Sequence, residues 1–176
     1  MNIELIESRE IYQGRVFSLK QETLRLPNGV ESPLDIIQHH GAVVIVPVDE
    51  TGNLIMIRQY RHAARKTLLE FPAGGLEPGE DPETCARREL REEIGHAART
   101  IRRLGGFFLA PGYSTEYLHI FLATELFPAP LEGDQDELIE VTRLPLLEIL
   151  QRAAAGGVED AKSLACLFLY QHAQPA

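Results

Sequence analysis

The 176-residue chain has no tryptophan, only two cysteines, and no apolar run approaching the ~20 residues that a membrane span requires. Cys85 and Cys166 stand alone, without metal-type spacing, which excludes a disulfide framework and a Cys/His zinc site. The opening residues, MNIELIESRE, lack a basic start leading into an apolar stretch, so no secretory signal is expected. A reducing cytoplasm is the expected compartment. Cations are scarce as well: 17 Lys and Arg face 26 Asp and Glu, for a net charge of −9. That balance argues against a nucleic-acid surface, which needs clustered Lys and Arg.

What is present is ordinary for a folded domain. Hydrophobic residues make up 44% of the chain, enough for a real core, and the length suits one domain or one domain with an appendage. A basic island interrupts the acidic background at RQYRHAARK, where Arg58, Arg61, Arg65 and Lys66 gather around His62. In an acidic protein such an island suits a small anionic ligand.

The first forty residues read as strands. VFSLKQETLRL and ESPLDIIQ flank Asn28-Gly29, a hairpin-turn signal, and the apolar parity slips between Phe17/Leu19 and Leu24/Leu26, which points to a bulge or a break near Gln21. GAVVIVPV is a continuous apolar run of the kind buried on both faces of a sheet, and DETGN followed by LIMIRQY reads as a second hairpin. LLEFPAGGLEPGEDPE reads as a loop into a helix, with Asp81 as N-cap, Pro82 at the first helical position and Gly95 as the left-handed stop. Ala86, Leu90 and Ile94 form its apolar stripe. Strands follow in IRRLGGFFLA, EYLHIFLATEL and LIEVTRLP, then two amphipathic helices. The His39-His40 pair reads as a loop or capping feature.

The helix poses an electrostatic question. Glu89, Glu92 and Glu93 fan over one side of it, although like charges at i,i+4 cost roughly 0.2–0.5 kcal/mol per pair. Three glutamates alone would read as a solvated face. Hard divalent cations supply the other answer: they prefer oxygen ligands, relieve the repulsion, and suit phosphoryl chemistry. From Gly74 the register is Gly, five residues, Glu80, seven residues, Arg88-Glu89-Leu90, one residue, Glu92-Glu93, one residue, Gly95. This resembles the Nudix box, the signature of hydrolases acting on nucleoside diphosphates linked to another moiety. The one departure is His96, where the pattern has an aliphatic residue.

The resemblance implies an α/β/α sandwich with a mixed sheet (residues 40–176), preceded by a small N-terminal antiparallel strand region (residues 1–39). It implies Mg²⁺, with Mn²⁺ as a possible substitute, held by Glu89, Glu92, Glu93 and the Ala73 carbonyl. Gly74, Glu80, Arg88 and Gly95 would support that site, Arg88 by a salt bridge to a neighbouring glutamate. LEFPAGGLEPGE before the helix, APGYSTE after it, and Pro111 sixteen residues beyond Gly95 resemble the ADP-ribose pyrophosphatase branch. The implied reaction is hydrolysis of the diphosphate of ADP-ribose to AMP and ribose 5-phosphate by metal-activated water. GDP-sugars are the alternative substrate, and a non-cleaving ADP-ribose sensor is a third reading.

Within that reading Arg61 and Arg58 would bind the diphosphate or terminal ribose by forked hydrogen bonds. Pro111, Tyr113 and Glu116 would form the substrate loop, and Tyr12, Phe17 and Tyr113 are the aromatic candidates for stacking the base. Gln135 stands where some relatives carry a catalytic glutamate, and glutamine cannot accept a proton. This leaves Glu137 or Asp136, or Glu92 and Glu93 beside the metal-bound water, as the base. The N-terminal strands are too few for a core of their own, so they are expected to pair with a second subunit in a homodimer.

Overall fold

The computed structural model describes residues 2–133 and 138–173. The chain forms two compact units, one of residues 1–41 with 107–117, the other of residues 42–106 with 118–176. The first therefore includes a segment remote in sequence from the N-terminal strands. The architecture is the mixed α/β fold expected from the resemblance.

In the first unit β1 (Glu4–Gln13), β2 (Ser18–Arg25) and β3 (Glu31–Gln38) form an antiparallel sheet in that order. The β2–β3 turn bears out the Asn-Gly signal: Gly29 takes a φ of 82° and its N–H donates to the Leu26 carbonyl. The bulge lies elsewhere than expected. β2 pairs with β3 without interruption, and β1 carries the irregularities, between Leu5 and Glu7 and between Glu10 and Tyr12. A central strand is paired on both sides, so the edge strand absorbs the parity slip of its neighbour. Every residue of β1 is exposed, Leu5, Ile6, Ile11 and Tyr12 among them.

The second unit holds the core. A four-stranded sheet runs β7 (Ala73–Gly75), β4 (Ala42–Pro47), β9 (Tyr117–Pro128), β8 (His96–Phe108), with β4 parallel to β9 and antiparallel to β7. A second sheet runs β10 (Ile139–Leu144), β5 (Leu54–Arg61), β6 (Lys66–Glu70), all antiparallel. The expected β4–β5 hairpin is thus a sheet switch. Both edges of β4 are occupied, and only Val48 and Leu54 bridge across the turn, where the Asp49 carboxylate accepts from the Thr51 and Asn53 N–H groups. The Gly/Pro-punctuated segment read as loop takes in the end of β6 and the whole of the short strand β7.

β4 is buried throughout. Val43 and Ile45 on one face join Ile55, Ile57 and Phe121 against Ala86, Leu90 and Ile94 of α1 (Pro82–Ile94). Val44 and Val46 face the other way and are equally buried, and α3 (Ala161–Ala173) also packs on β4. α2 (Leu146–Ala154) precedes it and anchors through the buried Ile149. No helix among the described residues is long and apolar enough to cross a membrane.

Candidate active site: a carboxylate helix gathered by one arginine

The start and stop of α1 follow from local chemistry. Asp81 accepts from the N–H groups of Glu83 (3.0 Å) and Thr84 (3.1 Å), Pro82 opens the helix, and Gly95 closes it at a φ of 70°. His96 places Nδ1 2.6 Å from the Ile94 carbonyl, so that nitrogen carries the proton and serves a last-turn acceptor. These ends set the rotation of the helix, and the rotation sets where its acids point. Glu89 and Glu93 fall on the buried side at 8% and 7% exposure, while Glu92 lies at the boundary.

Arg88 organises the acids. Its Nε and Nη2 donate to the two oxygens of Glu80 at 3.1 and 3.0 Å, and Nη1 donates to Glu89 at 2.6 Å and Glu92 at 2.9 Å. Nη2 also reaches the Gly75 carbonyl at 3.3 Å. Three carboxylates therefore share a single guanidinium charge, which leaves an excess of negative charge that a cation would neutralise. The hydrogen bonds from Arg88 hold the Glu80 carboxyl below the usual glutamate range, and Glu80 in turn raises the Arg88 guanidinium.

The backbone meets this cluster at β7. Glu93 accepts from the Ala73 N–H at 2.9 Å. The Glu89 carboxylate lies so close to Gly74 that a Cβ there would stand 1.9 Å from it. Glycine at 74 is thus a steric requirement of the carboxylate. The donors at hand are hard oxygens, two carboxylates and a peptide segment brought together, and their chemistry fits a magnesium-like ion. Among the described residues no three acidic, His or Cys side chains converge as a finished metal shell. Arg88 and the Ala73 N–H hold the acids in their present directions.

Cys85 lies beside the same cluster, its thiol 3.4 Å from the Gly75 carbonyl. Burial pushes that thiol far above its ordinary pKa, which removes it as a nucleophile.

The basic island divides. Arg58 and Arg61 are three apart on β5, so strand alternation sends them to opposite faces, a separation invisible in the residue count. Arg61 shares its face with Ile57 and makes a two-pronged contact with Glu70, Nε–Oε1 2.9 Å and Nη2–Oε2 2.8 Å. Gln59, on that same face, is 6% exposed and its Oε1 has no hydrogen-bond partner among the described residues. Neither Glu70 nor Gln59 was singled out by sequence reasoning. The only signal was an acidic residue inside an apolar run, LLEF, where a charge must be paired.

Pro111, Tyr113 and Glu116 belong to the first unit. There Ile37 donates to the Tyr113 carbonyl at 2.8 Å and Thr115 to the Ile37 carbonyl at 3.0 Å, so the loop is stitched to β3. Tyr113 is 57% exposed. Tyr12 and Phe17 pair with ring centroids 6.2 Å apart, and Phe17 also lines a cavity of about 350 Å³ with Arg15, His39 and His40. His39 accepts from the Gly41 N–H through Nδ1. Glu137, with Gln135 and Asp136, lies outside the described residues.

Comparison with known proteins agrees with this layout. Residues 38–166 match the NUDIX domain model. An ADP-ribose pyrophosphatase of Bacillus subtilis is 39% identical over 90% of this chain and 86% of its own length. One from Mycobacterium tuberculosis is 35% identical over 93% of this chain and 81% of its own. The crystal structure of an ADP compounds hydrolase superposes with a TM-score of 0.87 at 28% identity, covering 98% of this chain and 94% of that one. The chain belongs to the Nudix family. It is an enzyme, a Nudix hydrolase.

Proposed function

We propose that the protein hydrolyses the diphosphate of ADP-ribose, adding one water across the P–O–P bridge to release AMP and ribose 5-phosphate. The observation that carries this is the sharing of Arg88 by Glu80, Glu89 and Glu92 beside the Ala73–Gly74 backbone, an oxygen-rich and under-neutralised cluster. The relatives named above support the choice of substrate. Glu89, Glu92, Glu93 and the Ala73 carbonyl would hold Mg²⁺, or Mn²⁺ in its place. When bound, that ion supplies positive charge to the phosphoryl oxygens and lowers the pKa of water.

The chain's own residues do the rest. Glu80 and Arg88 orient Glu89 and Glu92, and Glu92, Glu93 or Glu137 takes the proton of the attacking water. Arg61 reaches the diphosphate, with Arg58 a second cation on the opposite face of β5, and Pro111, Tyr113 and Glu116 present the substrate loop. The uniformly exposed β1, with its apolar side chains, supports a homodimer built on the N-terminal strands. Two cysteines outside any disulfide suit the cytoplasm.

Incubation with ADP-ribose or GDP-mannose, with and without Mg²⁺, followed by chromatography of the products, tests the reading. Metal-dependent AMP release that is fastest from ADP-ribose is expected. Faster turnover of GDP-mannose would transfer the assignment to GDP-sugars, and tight ADP-ribose binding without turnover would make the protein a sensor. A monomer by light scattering would remove the dimer.

A further inference from the structure

Glu70 has no exposed surface, and its carboxylate receives two cations. Arg61 approaches with its Nε/Nη2 edge, and the Lys162 ammonium bonds to the same Oε2 that Nη2 uses. Lys162 lies in the first turn of α3 and is itself held by Asp160, 3.0 Å away. Asp160 also accepts from the Ser163 N–H at 3.0 Å and hydroxyl at 2.6 Å, and the Ser163 oxygen accepts the Phe71 N–H at 2.8 Å. The ring of contacts thus leaves the chain at the Glu70 side chain and returns to it at the next peptide. Two residues further on, the Ala73 N–H is bound by Glu93. Burial alone would raise the Glu70 carboxyl, but Arg61 and Lys162 outweigh it and hold the group ionised.

We propose that Lys162 is a positioning residue for Arg61. Through the shared Glu70 carboxylate, the first turn of α3 fixes where the Arg61 guanidinium presents its outer edge to the substrate diphosphate. The proposal rests on the reading of Arg61 as a diphosphate contact. Nη1 of Arg61 bonds to none of the described residues and the side chain is 37% exposed, so one edge is locked and the other is offered. A guanidinium whose plane is already set loses less freedom when an anion binds. The charges point the same way. Within this ring of contacts Arg61 and Lys162 balance Glu70 and Asp160, with Glu93 acting on Arg61 as a further acid, so loss of Lys162 removes one of two cations next to the place where an anion must dock. Both effects act on ground-state binding and leave the chemical step alone.

The test is a double-mutant cycle on the intact protein, read as steady-state hydrolysis of ADP-ribose at saturating Mg²⁺. Lys162→Met and Arg61→Ala should each raise KM about tenfold with kcat within about threefold, and the double variant should be no worse than Arg61→Ala alone. Lys162→Arg should restore KM. A purely structural Lys162 would lower the melting temperature of Lys162→Met and leave KM at the wild-type value, which overturns the proposal. So would effects that multiply in the double variant. Unchanged KM in Arg61→Ala would overturn the reading of Arg61 itself, a failure visible separately. Should Lys162→Met not fold, Lys162→Gln removes the charge while keeping a polar side chain at the same place. It enters the same cycle with the same expected split and the same overturning results.

Discussion

Replacing Gly74 by alanine perturbs the site at a single point whose consequence follows from distances. The new methyl would stand 1.9 Å from Cδ and Oε1 of Glu89 and 2.3 Å from Oε2. The obstacle is the end of a side chain, so Glu89 yields and the backbone stays. Restoring van der Waals contact requires a retreat of about 1.5 Å. That retreat breaks the 2.6 Å bond from Arg88 Nη1, in a pocket where Glu89 is 8% exposed. A charge-assisted hydrogen bond of this kind contributes about 1.5–3 kcal/mol. For a domain of this size the melting temperature should fall by about 3–12 °C. Misplacement of a reacting group by an ångström costs about a hundredfold in rate, so AMP release should drop by that order. Gly75→Ala is the control, because a Cβ there meets nothing within 4 Å. Thermal unfolding and AMP chromatography on both variants decide the matter. Wild-type melting and turnover in Gly74→Ala would refute the reasoning, since Glu89 would then not be where its function requires.

Further predictions concern stability and the guanidinium. Asp81→Ala removes the acceptor for two helix N–H groups and should cost about 0.5–2 kcal/mol, seen as a lower melting temperature, with no change in cation preference. Arg88→Lys keeps the charge but loses the fork that reaches three carboxylates, and should lower both turnover and melting temperature. Glu70 and Glu80 both titrate below their ordinary range in the folded protein. Their stabilisation is therefore complete above the unfolded glutamate value of about 4.3 and drains as the pH falls through the depressed values. Urea unfolding between neutral and acid pH should show that loss, and Glu70→Gln should flatten it.

The sequence made legible whatever short-range chemistry decides. Asp81, Pro82 and Gly95 mark the ends of α1 because caps act over three or four residues, and the 3.6-residue stripe of Ala86, Leu90 and Ile94 sets its buried face. The Asn28-Gly29 turn was readable for the same reason. What was hidden depends on partners distant in the chain. Lys162 and Ser163 meet Glu70 and Phe71 across 92 residues, and no local pattern announces it. β4 forgoes β5 because β9, parallel and far along the chain, takes its edge. The β1 bulges were misplaced onto β2 because a parity slip shows in one strand while the strain relaxes in its neighbour. Arg58 and Arg61 looked like one cluster because charge was counted without the strand period that parts them.

The central claim is that the carboxylates of α1 serve catalysis, and Glu93→Gln tests it most directly. Its ADP-ribose affinity, measured by calorimetry, should stay within about threefold of wild type, while single-turnover AMP release with Mg²⁺ should fall by about a hundredfold or more. A variant that hydrolyses ADP-ribose at the wild-type rate would contradict the account.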